Sequence, residues 1–520
     1  MMAGRTRAPG DARTPPPQGD SALNAARRRR ELAEATDGRT VDLVVVGLGA
    51  TGAGVALDAA SRGLSVVALD AHDLAFGTSR WSSKLVHGGL RYLAHGQFGV
   101  AHESAVERGI LMTRTAPHLT RPLPMLIPEG PAVSRVQASA ALAGFWAGDA
   151  LRAAARTSRH ELPKPRCLTD TETLALVPGL RRAGLRGGLL SWDGQLEDDA
   201  RLVVALARTA AAWGARVLTR VRVLDAGGDG VLVRDELTGD VASISSRAVV
   251  NAAGVWSGAL VEGISLQPSR GTHLVLRRQS LGSPAAAVMA PVPGESSRFV
   301  FALPQPDGLV FVGVTDELVD GPVADVPEPS QGEVAFLLEV IGTAFERPLS
   351  HEDVVGTYAG LRPLLQAEGR TADLSRRHAV ITSPSGVVTV TGGKLTTYRR
   401  MAQDAVDAAV RLRGLPAGPC RTAYLPLVGA APRAELLRVE APARLVRRYG
   451  TEAPLLAADP AWLEPIAPGL AVTRAELRFG LTHEGALDVD DLLDRRTRVG
   501  LVPTDRELAA PAAHAALSAV

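Results

Sequence analysis

An α/β architecture is predicted, with a parallel dinucleotide-binding sheet, an antiparallel-sheet domain inserted into it and a helical C-terminal region. Three observations carry it. Val41-Asp42-Leu43-Val44-Val45-Val46 is a β-branched run that stops abruptly at Gly47-Leu48-Gly49-Ala50-Thr51-Gly52, as a strand buried on both faces does when it feeds a turn. Thr272–Leu276 and Leu309–Val314 alternate with the period of an antiparallel sheet. Beyond about residue 411 the apolar spacing turns helical, as in Ala434–Tyr449 and Arg474–Glu484.

The first unit has an internal logic. Gly47 permits the tight turn, Gly49 lets a pyrophosphate approach the main chain, and Gly52 lets the next helix pack on the strand. That helix, from about Ala50 to Arg62 and including Thr51, points its positive end at the phosphates. Ser65–Leu69 reads as the following strand, and it ends at Asp70, whose carboxylate is placed to accept hydrogen bonds from an adenosine ribose.

Two later segments return to the same ligand. Ala248–Val250 runs into Asn251-Ala252-Ala253-Gly254-Val255-Trp256, small residues past which a backbone can approach a bound cofactor. Val387–Thr391 leads into Gly392-Gly393-Lys394-Leu395-Thr396, glycines ahead of a helical pattern. Amide donors and a helix N-terminus there suit the electron-rich end of a reduced isoalloxazine, which favours a flavin over a nicotinamide. Shortly after the first unit, Ser82-Ser83-Lys84-Leu85-Val86-His87-Gly88-Gly89-Leu90-Arg91-Tyr92-Leu93 gathers hydroxyls, cations and bare backbone, as a cofactor and an anionic substrate require.

Together these residues resemble the FAD-dependent glycerol-3-phosphate dehydrogenases, the aerobic, quinone-linked family. The resemblance runs through VDLVVVGLGATGAG, TSRWSSKLVHGGLRYL, SWDGQLEDDARLV, NAAGVWS, RGTHLVL, FVGVTD, YAGLRPLL and GGKLTTYR to ELRFGLTHEGALDVDDLLDRRTRVGL. Two departures stand out: Arg80-Trp81 where small residues are common, and an extra leader from Met1 to Thr40. The resemblance implies a Rossmann-like FAD-binding domain of the glutathione-reductase/D-amino-acid-oxidase type. It also implies non-covalent FAD held by Gly47, Gly49, Ala50, Thr51, Gly52, Asp70, Thr78, Ser79, Ser82, Ser83, Lys84, Leu85, His87, Gly88, Gly89, Val221, Ala252, Gly254, Trp256 and the Gly392–Thr396 turn. The activity implied is oxidation of sn-glycerol 3-phosphate to dihydroxyacetone phosphate, with electrons passing to a membrane quinone on the cytoplasmic face. A soluble oxidase using oxygen and an amine or amino-acid oxidase of related fold are the competing readings.

A phosphate dianion needs cations, and arginine's forked donors match its oxygens. Arg91, with the Tyr92 hydroxyl, and Arg376 from the LSRR segment are therefore the expected substrate ligands. Arg362 is assigned to phosphate or to the developing alkoxide, and Lys394 to substrate oxygens or the reduced flavin. His273 is the first choice of base for the hydroxyl proton, since histidine titrates near neutrality.

The cofactor segments lie far apart, so the FAD domain is expected from residues 40–110, 180–260 and 350–410, with a substrate cap from 111–179 and 261–349 and a helical domain from 411–520. Residues 1–40 are rich in Pro, Gly, Arg and Ala and read as a disordered leader, with a short helix near Asn24–Ala35. The chain's 520 residues and 46% hydrophobic content suit a large globular enzyme. Its formal charge of +2 argues against general nucleic-acid binding. Cys167 and Cys420 show neither disulfide nor metal-site spacing. Gln137–Ala155 comes nearest to a membrane segment, but Asp149 and Arg152 interrupt it; it reads as a packed helix or, more sharply, as an interfacial one. A homodimer is compatible with all of this.

Overall fold

Val41–Val46 forms the centre of a parallel sheet because its apolar side chains have partners on both faces. Strand Val66–Leu69 lies on one side, with Arg216–Leu218 beyond it; Val241–Asn251 lies on the other, followed by Val388–Gly392. His378–Thr382 adds an antiparallel edge. The computed structural model describes residues 19–89, 92, 96–295, 298–365 and 378–519. Helices Ala50–Ser61, Asp199–Ala212 and Tyr398–Arg413 cover one face, and their facing sides are rich in alanine. Small side chains bring the backbones together: a Cβ at Gly54 would stand 3.0 Å from the Tyr398 ring.

A second, mixed sheet stands against the first. Its long strands are Thr120–Pro128, Gly188–Leu196, Leu266–Arg277 and Val354–Leu365, joined by Ala287–Pro291, Phe299–Pro304 and Leu309–Gly313 and by the short strands Leu85–Val86, Arg166–Leu168 and Glu317–Leu318. Helix Gln331–Gly342 seals one face through Val334, Leu337, Leu338 and Ile341. The expected domain boundaries shift here. Gly188–Leu196 and Val354–Leu365 fall within the expected FAD segments, yet both are strands of the second sheet, because their ladders run along Thr120–Pro128 and Leu266–Arg277.

In the leader the expected short helix is present, and the departure from expected disorder is that its described part packs on the rest of the molecule. Helix Ala25–Ala35 is capped by Asn24, and Arg28 is buried with its guanidinium 2.5 Å from Asp235. The Gly19 amide donates to the Ala212 carbonyl, and Leu23 bridges to Glu484. Residues 1–18 lie outside the described residues.

The C-terminal region is helical, but Ala434–Tyr449 is two short helices, Arg433–Leu436 and Ala443–Tyr449, because Pro442 must sit at a helix start. Charged groups fasten this region to the parallel sheet. Fully buried Asp73 accepts from Arg495 Nε at 2.6 Å and from both Arg496 Nη atoms at 2.8 Å. Arg201 pairs with Glu484, and Arg208 with Glu452 at 2.7 Å. Among the described residues no helix is long and apolar enough to cross a membrane. Helix Arg135–Ala154 buries only Ala138, Phe145 and Arg152, so it is a half-open surface helix rather than a packed one.

Candidate active site

The glycine turn is built as its spacing requires. Gly47 adopts φ 97°, and its amide donates to the Leu69 carbonyl at 2.8 Å, which joins the turn to the neighbouring strand. A Cβ there would stand 2.7 Å from the Ala252 carbonyl oxygen, and one on Gly52 would collide with the Gly47 carbonyl. Helix Ala50–Ser61 has Gly49 as its N-cap and so no capping side chain of its own. Ser79 Oγ accepts from the Ala50 amide at 2.9 Å, leaving the rest of the first turn's donors facing outward. At the end of the next strand, Asp70 Oδ2 accepts from the Leu48 amide at 2.7 Å and Oδ1 from the His72 amide at 2.9 Å. Burial nevertheless pushes its carboxyl up to about 6.

These residues open onto one cleft of about 1710 Å³ between the two sheets. Gly47, Gly49, Ala50, Thr51, Asp70, Thr78, Ser79, Ser82, Ser83, Leu85, His87, Val221, Ala252, Gly254, Trp256 and Gly392 through Thr396 all line it. Three segments from distant parts of the sequence thus meet one space. Gly392 and Gly393 turn through successive left-handed conformations, φ 78° and 69°, before a short helical turn Leu395–Thr397. The His87 amide donates to Thr396 Oγ1 at 3.2 Å, which ties two of the segments together.

Four expected cofactor ligands stand behind the wall instead: Gly52, packed under the Gly47 carbonyl, and Lys84, Gly88 and Gly89. Lys84 is wholly buried, its ammonium donating to the Arg80 carbonyl at 2.7 Å and lying 3.1 Å from Asp199 Oδ2. Gly88 and Gly89 support the loop: the Gly88 amide donates to Asp193 Oδ1 at 3.1 Å, and a Cβ at Gly88 would meet Arg108 Nη1 at 2.5 Å. Arg108 itself holds Asp193 at 2.6 Å. Trp81 lines the cleft under the Arg80 guanidinium, which sits 4.1 Å above its ring.

At the far end lie the groups expected to do chemistry. His273 lines the cleft, 2% exposed, with Nε2 2.8 Å from Ser83 Oγ and its ring stacked on Tyr358 at 4.7 Å and 11°. Gly313 leaves room for this ring, since a Cβ there would stand 2.8 Å from His273 Nε2. Burial, with the Lys84 and Arg362 cations nearby, holds the imidazole well below the usual histidine range, so it is neutral at physiological pH. Arg362 lines the same end, fixed by Asp316 Oδ1 and Ser269 Oγ, both at 3.1 Å, and by the Thr315 carbonyl at 3.0 Å. Lys394 Nζ lies 4.1 Å from the centre of the Tyr92 ring. The structure thus brings His273, Arg362, Tyr92 and Lys394 to one cleft. The expected Arg91 and Arg376 lie outside the described residues.

Residues 42–399 match the model of the FAD dependent oxidoreductases, and 420–519 match the C-terminal domain of alpha-glycerophosphate oxidase. The chain is 53% identical over 498 residues to glycerol-3-phosphate dehydrogenase 1 of Mycobacterium tuberculosis, covering 94% of this chain and 96% of that protein. This chain belongs to the FAD-dependent glycerol-3-phosphate dehydrogenases. It is 35% identical to the aerobic glycerol-3-phosphate dehydrogenase of Staphylococcus aureus, over 75% of this chain and 71% of that protein. The glycerol-3-phosphate dehydrogenase of Bacillus halodurans, solved in complex with FAD, superposes with a TM-score of 0.71 at 28% identity, covering 96% and 94% of the two chains.

FAD is therefore the cofactor, and the cleft fits it. The open helix N-terminus suits the pyrophosphate, Asp70 keeps a second lone pair on each oxygen for the ribose, and the Gly392–Gly393 turn presents bare backbone to the same cleft. A Cβ at Gly49 would stand 2.9 Å from Ser79 Oγ, so a side chain there would crowd the turn whose bare backbone a pyrophosphate needs to approach. Sequence reasoning missed the supports: Asp199 under Ser82, Asp193 under Gly88, Asp316 beside Arg362 and Tyr358 beneath His273. All four lie inside motifs quoted above, so family resemblance could have flagged them, but their partners are set only by the fold.

Proposed function

We propose that the protein oxidises sn-glycerol 3-phosphate to dihydroxyacetone phosphate and passes the electrons to a membrane quinone, working peripherally on the cytoplasmic face. The observation that carries this reading is that a neutral, buried His273 lines one cleft together with Arg362, Lys394 and Tyr92. The names of the relatives support the substrate. Arg362 and Lys394 supply fixed positive charge for the phosphate and for the alkoxide that develops at carbon 2. Tyr92 adds a hydroxyl donor. His273 takes the hydroxyl proton, its neutral form being the one able to accept. When bound, FAD supplies the two-electron acceptor for the hydride. No covalent bond to His87 is part of the scheme.

Membrane contact is supported by helix Arg135–Ala154. Its Val136 and Trp146 are 80% and 48% exposed, while Val136, Ala140, Ala141 and Phe145 line the cleft. Such a helix can rest in a bilayer interface beside the site. Two measurements test the proposal. Anaerobic addition of glycerol 3-phosphate to the purified holoenzyme bleaches the flavin absorbance, and an unbleached spectrum refutes the substrate. Stopped-flow reoxidation then runs faster with a menaquinone or ubiquinone analogue than with oxygen; the reverse order makes the protein an oxidase. Sedimentation with anionic vesicles at low and high salt tests the membrane contact.

A further inference from the structure

We infer that the Ser83 hydroxyl is the proton relay between the substrate's hydroxyl and His273, an inference that rests on the proposed substrate. Ser83 lines the cleft, and its Oγ lies 2.8 Å from His273 Nε2. The other imidazole nitrogen, Nδ1, is sealed and makes no hydrogen bond among the described residues. The ring cannot turn to present it: Tyr358 stacks on it, and the ring lies directly over Gly313. Exchange between the cleft and this base therefore runs through Nε2, and Ser83 stands at that nitrogen.

Ser83 is itself held from below. Its neighbour Ser82 gives both its amide and its hydroxyl to Asp199 Oδ2, at 2.9 and 2.7 Å. Its other neighbour, Lys84, is pinned by Asp199 and the Arg80 carbonyl. Tyr358 closes the frame by donating its hydroxyl to the Ser82 carbonyl at 3.0 Å, so one side chain positions both partners of the Ser83–His273 pair. A hydroxyl can accept one proton and donate another in a single concerted step, which no apolar residue of similar size can do.

The step balances. The carbon 2 hydroxyl proton passes to Ser83 Oγ while the Ser83 proton passes to His273 Nε2, leaving Ser83 unchanged and His273 protonated. The electron pair of the broken O–H bond becomes the second bond of the ketone. The C–H bond breaks with its electron pair, which leaves with the hydrogen as hydride to FAD. The substrate is oxidised and the flavin reduced by two electrons each.

Two measurements on the holoenzyme test the relay. In protein labelled with ¹⁵N at histidine, His273 Nε2 is expected to carry no proton at neutral pH, since it must accept; a protonated Nε2 overturns the relay without any substitution. In anaerobic stopped flow at saturating glycerol 3-phosphate, Ser83→Ala is expected to slow flavin reduction by about 10²–10⁴-fold with little change in the half-saturating concentration. Ser83→Thr, which keeps a hydroxyl, restores most of the rate. Reduction by Ser83→Ala at close to the wild-type rate overturns the relay, and so does a Ser83→Thr variant as slow as Ser83→Ala. Failure of the wild-type flavin to be reduced at all refutes the substrate instead.

Discussion

Lys84 Nζ lies 3.1 Å from Asp199 Oδ2, with the two side chains 0% and 1% exposed. Lys84→Met removes one charge and leaves the other in a low-dielectric interior, held by the neutral Ser82 amide and hydroxyl and the Ala200 amide. Breaking a buried pair from one side costs about 3–5 kcal/mol. A lowered urea midpoint for the holoenzyme is the expected result. An unchanged midpoint would show that this pair does not brace the loop.

Gly52 packs under Gly47 with no room for a methyl group. Gly52→Ala should therefore push the helix from the strand and lower the FAD content of the purified protein. Gly130→Ala serves as control, since nothing lies within 4 Å of a Cβ at that position. FAD content equal in the two variants would contradict the role given to the turn.

Asp70 gives cofactor binding a pH dependence. Its folded-state pKa of about 6 exceeds the ordinary 3.8, so the cofactor-free fold binds the extra proton and loses stability as pH rises between those values. Ribose hydroxyls donate to the ionised form, so FAD affinity should rise with pH up to about 6 and level off above it. The slope below that point is at most about tenfold per pH unit. Titration of the apoprotein with FAD at a series of pH values measures this, and Asp70→Asn should flatten the curve.

His273 is held neutral by burial and by the Lys84 and Arg362 cations. At saturating substrate, flavin reduction should therefore show no inflection near the ordinary histidine pKa of about 6.5. Because the depressed folded pKa means that the unfolded chain binds this proton first, the group's contribution to stability is present above about 6.5 and is lost as pH falls below it. An inflection in the rate near 6.5 would assign His273 an ordinary, solvated environment.

Arg362→Lys tests the fork. The guanidinium reaches Asp316, Ser269 and the Thr315 carbonyl at once, which an ammonium on a flexible stem cannot reproduce. A loss of about tenfold or more in the second-order rate constant for flavin reduction is expected. Wild-type kinetics in this variant would remove Arg362 from the site.

The parallel sheet was legible because Val41–Val46 and Gly47–Gly52 obey local rules: a β-branched run, a turn that only glycine fits, a helix start. The convergence of His273, Arg362 and Lys394 was legible from family motifs. What sequence could not supply was depth. Lys84 sits between two residues that line the cleft and looks like a third, yet its left-handed backbone, φ 57°, sends it inward to Asp199. The same holds for Gly188–Leu196 and Val354–Leu365, whose sheet membership is decided by ladders to strands far away in sequence.

Asp73 finds its partners more than four hundred positions later, at separations of 422 and 423. During synthesis at about 5–20 residues per second, that carboxylate waits roughly 20–85 s for the guanidiniums that neutralise it. The first strands of the parallel sheet are translated early, but their surroundings cannot be finished until the tail leaves the ribosome. A nascent chain stalled before Arg495 would carry this acid buried and uncompensated, or keep the surrounding strands open until release.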